Sequence, residues 1–415
     1  MRRFPITNYF LLLCLAGCAS IAPLLSTPTP VPVSKATSTP RPVSTQTTPA
    51  ISKPRILRVW LPPRFDPNAD NASAKLLKQR FLDFESKHPG LEIEIRIKAE
   101  EGETSLLNSL SITSIAAPAA LPNLIALPRP ALEAAALKGL LHPIDGLTSI
   151  LHDPDWFAYA RELGYIQNTG YGLPFAGNAT VLVYRAEFGE LNSWNDILAS
   201  KGRLVFPAGD PQGLTGLSLY VSAGGTLLND QGLPMLDEDT FVSVLSLFEK
   251  GVANGVFPPS LANITTDDQA LQAYRSGNMN ILLTWNLSYS RALDGLMMPM
   301  PGLNQAPHSF ATGWLWCLSG SNAENQQPAV ELAEDLVAGE FIGEWANGLG
   351  GYLPARPSAI REHDVNIASI IESTQPIPTD DVLSVLGPIM HDALIRVLNG
   401  EQAEAVARSV LEQLK

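Results

Sequence analysis

The sequence is poor in cysteine and in basic residues for a chain of 415 residues. Three cysteines exclude a disulfide-stapled scaffold and a metal site built from four thiolates. The 28 Lys and Arg residues stand against 41 Asp and Glu, a net charge of −13, which excludes the basic surface that nucleic-acid binding needs. The same charge disfavours an anionic lipid surface as partner of the folded part. The length is sufficient for two packed domains.

The signatures of common catalytic sites are also missing. No Gly-rich phosphate loop, no GxSxG and no HExxH is present. The histidines are scattered and never paired at metal-binding spacing: His88, His142, His152, His308, His363 and His391. We therefore expect no cofactor, no metal and no enzymatic activity.

The first eighteen residues are typical of an exported protein. Arg2 and Arg3 precede an apolar stretch at 10–16, which is much shorter than the roughly 20 residues of a transmembrane helix. The LAGC segment at 15–18 resembles the lipobox of bacterial lipoproteins, in which the Cys is acylated and the chain is cut before it. This predicts a signal peptide over 1–17 and a lipid on Cys18 that anchors the protein extracytoplasmically to the bacterial cell membrane. A signal peptide with a chance cysteine is the alternative.

The lipidated Cys and the segment behind it, residues 18–53, are predicted to form a tether. Residues 19–53 contain 7 Pro, 7 Thr and 6 Ser but no acidic or aromatic residue, so they cannot bury enough apolar surface to fold. Their prolines favour an extended spacer. The body from 54 to 415 then holds 23 basic and 41 acidic residues, a net charge of −18. Its single thiol, Cys317, is expected to be a small core residue, as is Trp60.

Strand-like and helix-like patterns alternate along the body. A strand at 56–60, a helix at 72–88 and a strictly alternating strand at 91–97 form a βαβ unit, which predicts a parallel sheet. Further strands are predicted at 124–127, 179–184, 203–206, 279–283 and 314–318, and further helices at 131–141, 194–198, 239–251, 267–276, 329–339, 342–347, 382–398 and 402–414. The alternation predicts an α/β fold in two lobes.

An ordered series of short motifs resembles extracellular solute-binding lipoproteins of ABC importers, of the family 1 type that is maltose-binding-protein-like. The motifs are FESKHPG at 84–90, LPNLI at 121–125, YGLP at 171–174, VYR at 183–185, SWNDI at 193–197, GNMNILLTW at 277–285 and GGYLPAR at 350–356. The resemblance implies a two-lobed periplasmic-binding-protein-like fold of type II. Each lobe is a mostly parallel sheet flanked by helices, and the ligand cleft lies between the lobes. Lobe 1 is expected over 54–175 and 309–355, and lobe 2 over 176–308 and 356–415.

The resemblance also implies which residues bind the ligand, by their positions within or beside these motifs: Arg64, Asp66, Asn178, Asp210, Trp285, Asn286, Trp314, Tyr352 and Arg356. Trp285 resembles the Trp on which the family stacks its ligands. Structural alternatives stay open, because Arg64 and Asp66 also suit a solvated loop and Asp210 an Asp-Pro turn. Trp314 shares one face of its strand with Trp316, so at least one of the two indoles is also compatible with core packing.

The function implied is capture of a small solute by hinge closure and its delivery to the permease subunits of an ABC importer by a monomer. A carbohydrate is the first candidate, because aromatic faces and planar polar groups suit sugars. Polyols, glycerol phosphates and peptides are the other candidates. A sensor or adhesion lipoprotein without a permease, and a surface-anchored glycoside hydrolase, are the alternative functions.

Overall fold

The computed structural model describes residues 54–292, 294–304, 306–360 and 365–414. The predicted signal peptide, Cys18 and the tether lie outside the described residues. In this part of the chain no helix is both long and apolar enough to cross a bilayer. The strands are β1 Arg55–Leu61, β2 Leu91–Ile97, β3 Leu124–Pro128, β4 Tyr165–Ile166, β5 Thr169–Gly170, β6 Gly172–Tyr184, β7 Leu204–Val205, β8 Ile281–Trp285, β9 Leu296–Pro299, β10 Ser309–Leu318 and β11 Thr374–Pro376.

The helices contribute apolar faces to a core that surrounds these strands. They are α1 Ala72–Lys87, α2 Leu106–Ala116, α3 Arg129–Leu137, α4 Ala158–Leu163, α5 Trp194–Ala199, α6 Leu214–Ser222, α7 Glu238–Ala253, α8 Asp267–Arg275, α9 Asn286–Ala292, α10 Gln326–Leu336, α11 Gly339–Gly348, α12 Val365–Glu372, α13 Asp380–Leu398 and α14 Ala403–Leu411. Cys317 and Trp60 are fully buried, as the sequence predicted, and burial raises the pKa of the Cys317 thiol.

The main sheet has the strand order β2-β1-β3-β10-β6-β8-β7, with β11 beside β10 and β9 beside β6. The strands at its two ends are parallel: β1 pairs with β2 and β3, and β7 pairs with β8. The two long strands between them, β10 and β6, pair antiparallel with each other and with β3 and β8. The sheet therefore has two groups of parallel strands joined by β6 and β10.

The strand β6 belongs to both groups. Its first part pairs with β10 as far as Ala179, and from Thr180 onward it pairs with β8 instead. We refer to the group of β1, β2 and β3 with the helices packed on it as lobe 1, and to the group of β7, β8 and β9 with its helices as lobe 2. A single strand thus passes directly from one lobe into the other.

The elements with strong local signals lie where the sequence predicted them. α1 is capped by Asn71 and α5 by Ser193, whose side chains accept hydrogen bonds from the amides of Ala74 and Asp196. Five helices were not predicted, namely α2, α4, α6, α9 and α12. α2 lacks charged residues, and α6 starts behind Gly213, whose positive φ of 58° lies in the left-handed region. β6 begins seven residues before the predicted start.

Candidate functional site

A close backbone contact lies just before the point where β6 leaves β10. Gly177 of β6 pairs with Gly313 of β10 and also exchanges both backbone hydrogen bonds with Leu353. A Cβ atom at Gly177 would lie 2.2 Å from the hydroxyl oxygen of Tyr159, so a larger residue cannot occupy this position without displacing the ring. The glycine therefore lets three chain segments pack closely together.

The lobe 2 wall of the cleft contains a small pocket of about 40 Å³. The carboxylates of Asp210 and Asp267, the indole of Trp285 and the hydroxyl of Thr180 line it. Asp210 follows β7, Asp267 begins α8 and Trp285 ends β8, so strand ends and a helix start place these side chains. Burial raises the pKa of Asp210 above its usual value, although the amide of Gln212 and the nearby His391 act in the opposite direction. Two residues predicted from the sequence, Asp210 and Trp285, therefore share one pocket.

A larger cavity of about 330 Å³ adjoins the small pocket, and Leu214 and Trp285 border both. Lobe 1 contributes one face of α3 along its whole length, and lobe 2 contributes the start of α13. Much of its surface is apolar: Pro130, Ala134, Leu137, Ile377, Pro378 and Leu383. We refer to the two adjoining cavities together as the cleft.

An ion pair that the sequence did not predict lies in this larger cavity. Arg129 and Glu133 occupy one face of α3, with 2.9 Å between Arg129 Nη1 and Glu133 Oε2. Both are more than nine-tenths buried, and burial lowers the pKa of Arg129 despite the neighbouring carboxylate. Glu133 Oε1 also accepts a hydrogen bond of 3.1 Å from the backbone amide of Asp380, the first residue of α13. The sequence does contain one signal that could have predicted Arg129 as a site residue. Arg129 comes directly after β3, at the carboxyl end of a parallel strand.

Three residues that line the same cleft have buried polar atoms without a hydrogen-bond partner in the described part of the chain. Among the described residues no hydrogen-bond partner exists for Arg129 Nε, for Thr312 Oγ1 in the larger cavity, or for Thr180 Oγ1 in the small pocket. Buried polar groups are usually paired, since leaving one unpaired costs about 1–3 kcal/mol. These three atoms are therefore suited to binding a polar ligand.

Three other predicted residues form a cluster on lobe 1. Arg64 Nη1 donates a hydrogen bond of 2.8 Å to the hydroxyl of Tyr352, and the guanidinium lies 5.4 Å from the ring centroid of Trp314. Glu100 forms an ion pair with the same guanidinium. Burial opposes the charge of Arg64, but the bonds to Glu100 and Tyr352 outweigh burial and raise its pKa. The structure brings Arg64, Trp314 and Tyr352 together, but not into either cavity described above.

Asn178 and Asn286 join β6 to α9. Asn178 Oδ1 accepts a hydrogen bond from the amide of Leu287, and Asn286 Oδ1 accepts one from the amide of Ala179. The amide group of Asn286 also donates to the carbonyl of Gly351. Asn286 is buried, and its contacts hold the point where the strand crosses between the lobes. These bonds give both residues a structural role.

The last two predicted residues also have structural contacts. Asp66 lies in the turn before α1, where its carboxylate accepts a hydrogen bond from the amide of Asn68. Arg356 is 5% exposed, lies 4.1 Å from the ring centroid of Trp156 and pairs with Asp155 at 3.3 Å. Neither lines the cavities described above. We therefore leave both out of the site that we propose.

The chemistry of the cleft is that of a binding site with charge, hydroxyls and one exposed aromatic face. The described residues contain no group of three or more His, Cys, Asp and Glu side chains arranged to hold a metal ion. A family model described as "Bacterial extracellular solute-binding protein" matches residues 79–371, which is well over half of the chain.

The chain belongs to this family of extracellular solute-binding proteins. Membership confirms the expectation of a binding protein that acts outside the cytoplasm. The match includes β6, β8 and β10, and with them Arg129, Asp210 and Trp285 of the cleft. No curated protein matches this solute-binding protein by sequence.

Solved structures with the same fold cover most of this solute-binding protein. A cyclo/maltodextrin-binding protein in complex with maltotetraose has a TM-score of 0.68 at 20% identity and aligns over 88% of this chain and 98% of its own. The cyclic α-maltosyl-1,6-maltose binding protein of Arthrobacter globiformis has a TM-score of 0.69 at 14% identity, over 87% and 99%. Maltose-bound MalE3 of T. maritima has a TM-score of 0.63 at 14% identity, over 86% and 98%. These similarities confirm the two-lobed α/β fold.

Proposed function

We propose that this solute-binding protein captures a carbohydrate in the cleft between its lobes and delivers it to the permease of an ABC importer. Binding energy would favour a closed arrangement of the lobes through a hinge. In this proposal a lipid on Cys18 and the tether at 18–53 hold the protein at the outer face of the cell membrane, and it works as a monomer.

The observation that carries this proposal is the composition of the cleft. Trp285 offers an aromatic face between the two cavities, and Arg129 Nε, Thr180 Oγ1 and Thr312 Oγ1 offer unpaired polar atoms. Sugars have apolar C–H faces and hydroxyl edges, so they match a site of this kind. The proteins of similar fold that bind maltose or maltodextrins support the same ligand class.

We further propose that the hinge consists of β6, β10 and the segment that ends in β11. β6 changes its partner strand between Ala179 and Thr180, close to the boundary expected at 175/176. Residues 356–359 contact α11 and Asp155 of lobe 1. We therefore place the last crossing between lobes after residue 359 rather than at 355/356.

A binding screen tests the carbohydrate proposal. The full-length protein, solubilised in a detergent without a sugar headgroup, is titrated with maltotriose, other oligosaccharides, polyols, amino acids and short peptides while thermal stability is recorded. A ligand at about 100 times its dissociation constant stabilises the fold by about 2.7 kcal/mol. We expect stabilisation by an oligosaccharide and a loss of affinity of about tenfold or more in Trp285→Ala. Stabilisation by a peptide or amino acid alone would contradict the carbohydrate assignment.

The delivery step has its own test. The protein and the permease encoded nearest to its gene are reconstituted in vesicles, and uptake of the identified ligand is measured with and without the binding protein. Uptake that depends on the binding protein is expected. A bound ligand without any such uptake would favour a sensor or adhesion lipoprotein.

A further inference from the structure

The charges that line the cleft are mostly negative. Of the described residues around the two cavities, four are acidic and one is basic: Glu133, Asp210, Asp267, Asp380 and Arg129. Arg129 already pairs with Glu133 at 2.9 Å. The carboxylates on the lobe 2 wall therefore have no opposing Lys or Arg within the described lining.

The small pocket concentrates this charge. Asp267 accepts hydrogen bonds from the hydroxyls of Thr284 and Ser288, which hold its carboxylate in place without neutralising it. Asp210 accepts one from the amide of Gln212, the only donor to its carboxylate among the described residues. His391 of α13 is near enough to act on Asp210 electrostatically. No ion pair between the two is present among the described residues. Two fixed carboxylates thus face one pocket.

The small pocket offers few hydrogen-bond donors to a neutral hydroxyl group of a ligand. A hydroxyl both donates and accepts hydrogen bonds, whereas an ammonium group only donates. Besides its carboxylates the pocket has hydroxyls on Thr180, Thr215, Ser218 and Thr284, of which Thr284 already donates to Asp267, but no amide, guanidinium or ammonium side chain among its described residues. Acceptors therefore outnumber strong donors, and this balance favours an entering group that donates.

The third wall and the size of the small pocket fit such a group. Trp285 lines the pocket, and an indole face attracts a cation that lies within about 6 Å of its centre. At about 40 Å³ this pocket is much smaller than the adjoining cavity, so we place a compact polar group there rather than the sugar ring. The adjoining cavity of about 330 Å³ has room for the ring.

We propose that the solute is an amine-bearing saccharide, whose protonated amine enters the pocket of Asp210, Asp267 and Trp285 while its ring occupies the larger cavity. This inference rests on the proposed function, because it names the class of sugar that the same cleft takes. Charge-assisted hydrogen bonds to the carboxylates would select the amine over a hydroxyl group. An acetylated amine would lose both the charge and the fit.

Matched sugars test the inference by calorimetric titration of the full-length protein. Glucosamine, N-acetylglucosamine and glucose are compared as monosaccharides and as β-1,4-linked trimers, with maltotriose and spermidine alongside. The three series share one ring and differ at a single substituent. We expect the glucosamine compounds to bind at least about tenfold more tightly than the other two, a difference of about 1.4 kcal/mol.

The other outcomes separate this inference from the proposed function. Equal or tighter binding of glucose, N-acetylglucosamine or maltotriose would overturn the amine but keep the carbohydrate. Binding of spermidine without any sugar would overturn the saccharide and the proposed function together. No binding of any sugar would overturn both as well.

An isosteric variant links the preference to the pocket. Asp210→Asn removes one charge but keeps the oxygen that accepts from Gln212, and Asp230→Asn removes the same charge from an exposed turn. In Asp210→Asn the affinity for the glucosamine trimer relative to that for the glucose trimer should fall at least about fivefold. Asp230→Asn should keep the preference. An unchanged preference in Asp210→Asn would overturn the placement of the amine.

Discussion

The two lobes differ in how they hold the aromatic residues that the sequence predicted as ligand contacts. Away from both cavities, lobe 1 contains an aromatic cluster in which the ring of Phe65 lies between 5.2 and 6.2 Å from the rings of Phe175, Trp314, Trp345 and Tyr352. The lobe 2 wall has one partly exposed indole, Trp285, beside carboxylates and an unpaired hydroxyl. Tyr352 of the lobe 1 cluster is hydrogen-bonded to Arg64, whereas Thr180 Oγ1 of the lobe 2 wall has no partner among the described residues.

This difference indicates a division of labour between stability and binding. Groups that are already paired with each other contribute to the fold and hold their geometry. Groups that lack partners gain most from a ligand, because the ligand supplies the missing hydrogen bonds. Substitutions in the lobe 1 cluster should therefore change stability most, and substitutions in the lobe 2 pocket should change binding most.

The largest effect is expected for Phe65→Ala. Phe65 is 2% exposed and contacts four aromatic rings, so its loss leaves a cavity and should lower the free energy of unfolding by about 3–5 kcal/mol. Denaturant unfolding measures the change. Trp285→Ala serves as the matched aromatic truncation in lobe 2 and should cost less than about 1 kcal/mol. Similar losses of unfolding free energy in the two variants would remove the distinction between the lobe 1 cluster and the lobe 2 pocket.

A smaller effect is expected for Arg356→Gln. The change removes the contact with Trp156 and the ion pair with Asp155, and should cost about 2 kcal/mol of stability. Ligand affinity should stay the same, since Arg356 lies outside both cavities. Arg408→Gln, at an exposed ion pair, should be close to neutral. If Arg356→Gln lowered the ligand affinity without lowering stability, Arg356 would instead belong to the binding site.

Acid should weaken lobe 1 through Asp155. Burial alone would raise the pKa of Asp155, but hydrogen bonds from Ser358 and Arg356 outweigh burial and lower it. Its contribution is therefore present above the unfolded pKa of about 4 and is lost as the pH falls through the lower folded value. Asp155→Asn should reduce the loss of folding stability between neutral and acid pH, by less than about 1 kcal/mol. Melting curves between pH 2 and pH 7 measure this, and an unchanged acid slope would contradict it.

The smallest effect has the opposite sign. Burial raises the pKa of Asp210, so the folded protein holds the proton more tightly than the unfolded chain does. The ionised carboxylate then opposes folding once the pH exceeds the unfolded pKa. Without ligand, Asp210→Asn should therefore stabilise the protein at neutral pH, by less than about 1 kcal/mol because solvent partly screens this group. Lower stability of the variant would show that the carboxylate supports the lobe 2 wall.

Local signals explain which parts of the fold could be predicted. The strict alternation at 91–97 and the caps of α1 and α5 are fixed by residues close in sequence, and these elements lie where expected. The first half of β6 was missed because Pro174 and Gly177 are unusual within a strand. They are accommodated by an irregular register with β10 and by contact with Leu353, which lies far along the chain.

The candidate site was predicted only in part for a related reason. Trp285 and Asp210 follow strands, so a pattern of strand ends leads to them. Glu133, which pairs with Arg129, accepts a hydrogen bond from the amide of Asp380, and the two residues are 247 positions apart in the sequence. No local pattern reports such a contact. Asn286 lies directly after an expected motif and Arg356 lies within one, yet their hydrogen bonds and burial give them structural roles that the motifs do not indicate.

The bond between Glu133 and Asp380 also provides an internal reporter. Thr379 offers no side-chain cap to α13, so the start of this long helix of lobe 2 takes its acceptor from lobe 1. When the lobes separate, the amide proton of Asp380 loses that acceptor and becomes open to exchange with deuterium. The exchange rate at this one amide would then measure how often the cleft opens, without any label or added probe.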